Sequence, residues 1–156
     1  MSMRLIAAKD EFVKKHRNPK VIKLDNDTEV INMQETENRK PEGDFEDSWT
    51  QYWLAFTEQS FLCCSECGKP LWNKECEKSE AFCKDVVRKR QINSKVENTD
   101  NKETLADYKS QGGHVKLDDT IYIAPLCYQH NNNNVGEKIV LKSGTILVEE
   151  IEPRIE

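Results

Sequence analysis

Two short cysteine motifs carry the most specific chemistry in this chain. One is Cys64-Ser65-Glu66-Cys67-Gly68; the other is Cys127-Tyr128-Gln129-His130, which directly follows the apolar run Ile121 to Leu126. Zinc takes four borderline-soft ligands in a tetrahedron, and two close pairs drawn from distant parts of a chain supply them. A glycine after Cys-x-x-Cys lets backbone amides turn toward thiolates that carry charge when bound to metal. The spacing therefore predicts a structural Zn²⁺ site at Cys64, Cys67, Cys127 and His130. Cys63 stands next to Cys64 but lacks the spacing, and is expected as a small buried apolar residue.

The elements that must position these ligands can be read from periodicity. A short helix is expected through Phe12 and Val13, stopped at Asn18-Pro19. Val21 to Met33 reads as a hairpin turning at Asp25-Asn26-Asp27. Gln34 to Asp47 is polar, acidic and without periodicity, and is expected as a linker or surface loop. Ser48 to Ser60 reads as a helix: Ser48 and Gln51 form a capping box, and Trp49, Tyr52, Trp53 and Phe56 lie on one face. That stripe could stack bases, but core packing is its commoner meaning, because each aromatic buries a large apolar area. This helix would dock the N-terminal segment against the zinc module.

Phe61 to Trp72 carries the knuckle. Glu75 to Arg90 has helical spacing at Phe82, Val86 and Val87, which sets Cys76 and Cys83 about 10 Å apart along the axis. That is too far for a disulfide, so both are expected as free thiols. Asn93 to Ser110 is polar and expected to be mobile. Gly112 to Val115 and Ile121 to Leu126 read as strands joined at Asp118-Asp119, with Pro125 marking the end of the second. Cys127 to Asn134 opens a helix, and Lys138 to Ile151 reads as a closing hairpin turning at Ser143-Gly144.

Composition bounds the class. The chain has 156 residues, 37% hydrophobic and 33% charged, so a modest core aided by metal is expected. No apolar run is long enough for a bilayer and no signal-peptide pattern opens the chain, which implies a cytoplasmic protein with reduced cysteines and no membrane partner. The net charge is −5, whereas nonspecific nucleic-acid binding usually brings a basic balance. The one basic run, Lys84 to Arg90, reads better as a solvated helix face than as a phosphate-binding surface. His16 has no motif partner and reads as a surface residue.

Knuckle, hairpin and ligand-bearing helix together make an α+β treble-clef (ββα-metal) zinc module. It would occupy residues 61–156 with a helical charged insertion at 73–111, behind an N-terminal α/β extension over 1–60. At this point the chain resembles the His-Asn-His (HNH) endonucleases, in particular a divergent group of small bacterial and phage proteins. The motifs that carry the resemblance are Cys64-Ser-Glu-Cys67-Gly68, Gly112-Gly113-His114-Val115, Ile123-Ala-Pro-Leu126 and Cys127-Tyr-Gln-His130-Asn131. The resemblance also takes in the closing segment and does not reach residues 1–60.

The resemblance implies DNA as substrate, His114 as the general base that activates water, and Asn131 as a holder of a catalytic Mg²⁺ or Mn²⁺ beside it. Two positions depart from the family pattern. Gly113 stands where an acidic residue often precedes the base, and the middle Asn has no counterpart, with Thr120 and Ile121 nearby. The residue-level alternative for His114 is a structural ring that closes a hydrogen bond across the hairpin. For Asn131 to Asn134 it is capping and a polar tract. The second function class is thus a catalytically inactive, zinc-stabilised binding module with a protein or nucleic-acid partner, such as a phage-encoded inhibitor of a host defence protein.

Overall fold

In chain order the elements are helix α1 (Met3–Lys15), strands β1 (Val21–Lys23), β2 (Thr28–Asn32) and β3 (Arg39–Lys40), helix α2 (Trp49–Thr57), strands β4 (Leu62–Cys63) and β5 (Pro70–Leu71), and helix α3 (Glu77–Val96). A 3₁₀ turn (Leu105–Tyr108) follows, then β6 (Gln111–Leu117), β7 (Thr120–Leu126), α4 (Tyr128–Asn132), β8 (Lys138–Leu141), β9 (Ile146–Glu149) and β10 (Arg154–Ile155). The computed structural model describes residues 1–33, 38–99, 102–151 and 153–155. Mixed α+β architecture is therefore observed: four α-helices and a six-stranded antiparallel sheet ordered β1-β9-β7-β6-β2-β8, among the described residues.

The sheet is built from strands found in sequence but paired differently. Neither expected hairpin forms. Val21–Lys23 pairs with β9 and Thr28–Asn32 pairs with β8 and β6, so the segments read as two separate hairpins are interleaved. Their turns bind one another: Leu24 N donates to Thr145 O at 2.8 Å, Gly144 N to Leu24 O at 2.7 Å, and Ser143 N to Asp27 Oδ1 at 2.8 Å. A lone two-stranded hairpin is marginal in water. Interleaving gives β2 and β9 partners on both sides, since β9 also pairs with β7.

The β6–β7 hairpin forms as read and is longer, with Asp118 and Asp119 both at positive φ (51° and 66°). That is the type I′ turn, whose twist matches the flanking strands. Pro125 does not end β7, which runs on to Leu126. The proline gives no N–H, but its carbonyl accepts from Ser65 N at 2.9 Å, tying the strand end to the knuckle.

Helix α2 is the centrepiece of the core. Ser48 Oγ accepts from Gln51 N at 3.2 Å, half of the expected capping box. The Gln51 side chain instead accepts from Arg4 and faces Glu46, so the reciprocal half is not made. Trp49, Tyr52 and Trp53 are buried as expected, each with its polar tip satisfied by a distant carbonyl: Arg39 O at 2.8 Å, Glu149 O at 2.6 Å and Ile146 O at 2.8 Å. Phe12 of α1 and Phe45 meet Tyr52 edge to face, each at 5.6 Å between centroids. His16 is half-buried, its ring 4.6 Å from Phe12.

Fully buried Phe45 corrects the reading of Gln34 to Asp47 as a plain surface loop. Residues 34–37 of that stretch lie outside the described residues, but Arg39–Lys40 is a strand paired with β10. Sequence polarity hid one aromatic anchor among acidic neighbours. The charged stretch after the knuckle is also more regular than expected. α3 extends to Val96, and Cys83, Val87 and Tyr108 form a small second core with Trp72. Residues 100–101, inside the stretch expected to be mobile, lie outside the described residues. The basic run on α3 is a solvated, internally paired face: Lys84 meets Glu80, Arg88 and Lys89 meet Asp85, and Arg90 meets Glu103. Cys76 and Cys83 are free thiols, as the helical spacing requires.

Gly112 sets how closely α2 approaches the sheet. A Cβ there would fall 2.4 Å from Trp49 Cβ and 2.8 Å from Thr50 N. Backbone lies on both sides of that contact, so the clash cannot be relieved by a side-chain rotation. Gly112→Ala is expected to cost about 1–3 kcal/mol, read as a lower urea midpoint with the same slope.

Candidate metal centre and adjoining pocket

Four ligand atoms converge where the sequence motifs predicted. The β4–β5 knuckle turns through Cys64 to Gly68, with Gly68 N donating to Cys64 O at 2.8 Å and Gly68 at φ +78°. Cys127 is the N-cap of α4, and its sulfur accepts from His130 N at 3.4 Å. The ligand atoms of Cys64, Cys67, Cys127 and His130 all lie within 4.8 Å of one another. His130 presents Nδ1 to the cluster, 3.1 Å from Cys127 Sγ and 3.7 Å from Cys64 Sγ. These four residues could hold a metal ion.

The electrostatics agree with that role. Burial pushes the Cys127 thiol up to about 11, although the His130 backbone N–H pulls it down, and the neighbouring Cys64 adds to the rise. Burial likewise raises Cys67. Thiols crowded in this way resist ionisation until a cation is placed among them, so loading the site releases protons. Cys63 corrects one expectation: it is exposed, not buried. On a two-residue strand its neighbour Leu62 takes the inward position, and alternation turns Cys63 outward.

The ligand helix is only five residues long and would not hold its shape alone. Asn32 supports it from β2. This residue is buried, and its Nδ2 donates to Asn133 O at 3.0 Å, with His130 O and Asn131 O at 3.4 Å. Carbonyls at a helix C-terminus lack intrahelical partners, and Asn32 supplies one. Sequence reading passed over Asn32. The available signal was alternation in Thr28–Asn32, which places Val30 and Asn32 inward together.

His114 and Asn131 come together on the other side of α4. Both line a cavity of about 550 Å³ with Arg39, Lys40, Trp49 and Lys109. A Cβ on Gly113 would fall 3.0 Å from Asn131 Oδ1 and 2.4 Å from Leu126 Cδ1. Glycine at this position therefore has a steric reason: Asn131 and Leu126 occupy the space a side chain would take.

His114 is buried, with its Nε2 2.8 Å from Glu150 Oε2. The approach is close but off the N–H direction, so Nε2 makes no well-aligned hydrogen bond. Trp49 meets the imidazole edge to face at 5.1 Å. Glu150 is buried as well, 3% exposed in its side chain, and Arg39 grips both of its oxygens, Nε reaching Oε2 at 3.2 Å and Nη2 meeting Oε1. Burial alone would raise the Glu150 carboxyl, but His114 and Arg39 outweigh it and hold the group below its ordinary 4.5. Neither Glu150 nor Arg39 was legible as a site residue. One follows the last motif strand in sequence, and the other lies in the acidic stretch read as a loop. Thr120 pairs with Leu117 and Ile121 with Lys116 next to the β6–β7 turn, apart from the His114–Ile123 pair.

With family models, with curated proteins and with solved structures, the chain gives no match. No described helix is long and apolar enough to cross a membrane.

Two outcomes follow from this geometry. Cys64→Ser should lose metal and unfold the surrounding module, whereas exposed Cys63→Ser should retain both, as read by elemental analysis and circular dichroism. Glu150→Gln should cost roughly 3 kcal/mol at neutral pH by breaking a buried charge cluster. Because the folded carboxyl titrates below 4.5, its contribution is present above that value and lost as pH falls beneath it. The gap in unfolding free energy between parent and Glu150→Gln should therefore close in acid.

Proposed function

We propose that this chain is an HNH-like treble-clef zinc protein that acts on DNA, with His114 as the general base of phosphodiester hydrolysis. The observation that carries the reading is the shared cavity: His114 and Asn131, which match the family's base and metal-holding positions, line it together with Arg39, Lys40 and Lys109. The treble-clef assignment is supported by the β4–β5 knuckle, the β6–β7 hairpin and α4 meeting at the four ligands. Zinc is supported by the donor set. Three thiolates and an imidazole suit Zn²⁺, and Zn–S bonds of about 2.3 Å set sulfurs roughly 3.8 Å apart in a tetrahedron, within reach of this cluster.

In this reading the cationic wall receives the phosphate and His114 takes the proton from an attacking water. Histidine is suited to that work because its charge changes near neutral pH. The catalytic Mg²⁺ or Mn²⁺ of the family does not fit as a resident ion. Asn131 offers one neutral oxygen, Gly113 offers no side chain, and Glu150 is engaged by Arg39, whose charge opposes a cation nearby; of the carboxylates that line the cavity, Glu46 is paired with Arg4 and Lys74 and Asp47 is exposed. Charge on the phosphate is met here by Lys40 and Lys109, Arg39 is shared with Glu150, and Glu46 and Asp47 stand on the same lining, so turnover should be slow.

That thin donor set favours one further reading, a zinc-stabilised module that binds its partner without cleaving it. The experiment is supercoiled-plasmid nicking by zinc-loaded parent and His114→Ala, each with millimolar magnesium and with chelator, beside a DNA-binding assay. Slow nicking by the parent, lost in His114→Ala, supports the hydrolytic reading. Equal nicking by both would sink it, and binding without nicking would move the assignment to the binding module.

A further inference from the structure

The family's middle Asn, which orients the base, has no counterpart in this sequence, yet His114 is not left without a neighbour to orient it. We infer that Glu150 is a positioning residue that fixes His114 as the Nε2–H tautomer and so leaves Nδ1 as the proton-accepting atom. This rests on the reading of His114 as a base.

The geometry comes first. Glu150 Oε2 lies 2.8 Å from His114 Nε2, and both side chains are almost fully buried, at 3% and 4% exposure. Arg39 engages both carboxylate oxygens, and Glu150 N donates to Ile121 O at 2.9 Å, so the group is fixed from its backbone and its head. Arg39 is held in turn by the pairing of β3 with β10 and by the Trp49 indole on its carbonyl. The same Trp49 ring stands edge to face against the imidazole, which limits its rotation.

Chemistry then selects the tautomer. An ionised carboxylate only accepts hydrogen bonds. A bare Nε2 lone pair 2.8 Å from it would set two acceptors against each other in a buried site, where such repulsion is poorly screened. Nε2 therefore keeps its hydrogen in both the neutral and the protonated ring. Only Nδ1 can then gain and lose a proton. The off-line approach of Glu150 leaves this argument intact, because it depends on proximity of like lone pairs and not on an aligned bond. Arg39 matters because, after His114 itself, it holds the carboxylate below its ordinary range, and a neutral acid could donate to Nε2 and reverse the choice. Glu150 touches neither water nor phosphate in this scheme and acts through His114, as a carboxylate does when it orients a catalytic histidine.

The test is ¹⁵N NMR of the imidazoles in the zinc-loaded full chain, with His114 assigned through His114→Gln, at a pH where the ring is neutral. The parent should show His114 with Nε2 protonated and Nδ1 bare. A ring carrying its hydrogen on Nδ1 would overturn the inference. Glu150→Gln, which keeps the shape but can donate as well as accept, should show both tautomers; retention of the single form would also overturn it. Amide dispersion shows whether that variant folds, and the parent spectrum decides without it. Nicking separates the two claims. If the parent nicks, Glu150→Gln should slow it about tenfold or more and have no further effect in a His114→Ala background. A parent with the expected tautomer and no nicking would sink the hydrolytic reading while the positioning by Glu150 stands. A nicking parent with the opposite tautomer would do the reverse.

Discussion

A buried carboxylate without partners is one of the most costly groups a fold can contain, and Glu150 sits at the centre of this one. Its neutralisation links elements far apart in sequence. Arg39 comes from β3, which is held by β10; His114 comes from β6; the Glu150 backbone is pinned to Ile121 at the start of β7. Helix α2 closes the cluster from above, with Trp49 bonding the Arg39 carbonyl and covering the His114 ring. That helix can come so near only because Gly112 has no Cβ to meet Trp49 and Thr50. Removing any one of these parts exposes or orphans a charge, so the cluster acts as a constraint on how the N-terminal segment docks on the sheet.

What the sequence made legible was local. Cys-x-x-Cys-Gly and Cys-x-x-His each place two candidate ligands within one turn of chain, so the four residues that come together as a possible metal site could be named from spacing. The aromatic stripe of α2 and the Asp118-Asp119 turn are local for the same reason. Pairing is not local. The strands at residues 21–32 and 138–149 were found, but each was given its neighbour in sequence as partner, because a strand's apolar pattern says that it pairs and not with what. The interleaved arrangement gives β2 and β9 two partners each, a gain that exists only once all six strands are present.

Polar residues at buried positions were the hardest to see. Arg39, Glu150 and Asn32 are unremarkable where they stand in the chain, two of them beside other charged groups. Their importance comes from elements that fold next to them. Cys63 failed in the opposite direction: a cysteine outside the ligand spacing was expected as a small buried residue, whereas alternation on β4 turned it to solvent. Phe45 was hidden by the acidic residues around it and is fully buried.

Helix α4 couples the metal centre to the pocket. Five residues cannot sustain a helix alone, and α4 is supported by Asn32 on its terminal carbonyls, while His130 sets its ring among the residues that could hold a metal. Asn131 follows His130 directly and faces the pocket beside Gly113 and His114. A metal bound at the four ligands would therefore set the wall of the pocket without touching it. The same packing explains why position 113 carries no side chain. Any side chain at position 113 would displace Asn131 or Leu126, and Leu126 leads straight into the ligand Cys127. Space beside His114 is thus taken up by the packing that holds α4 in place.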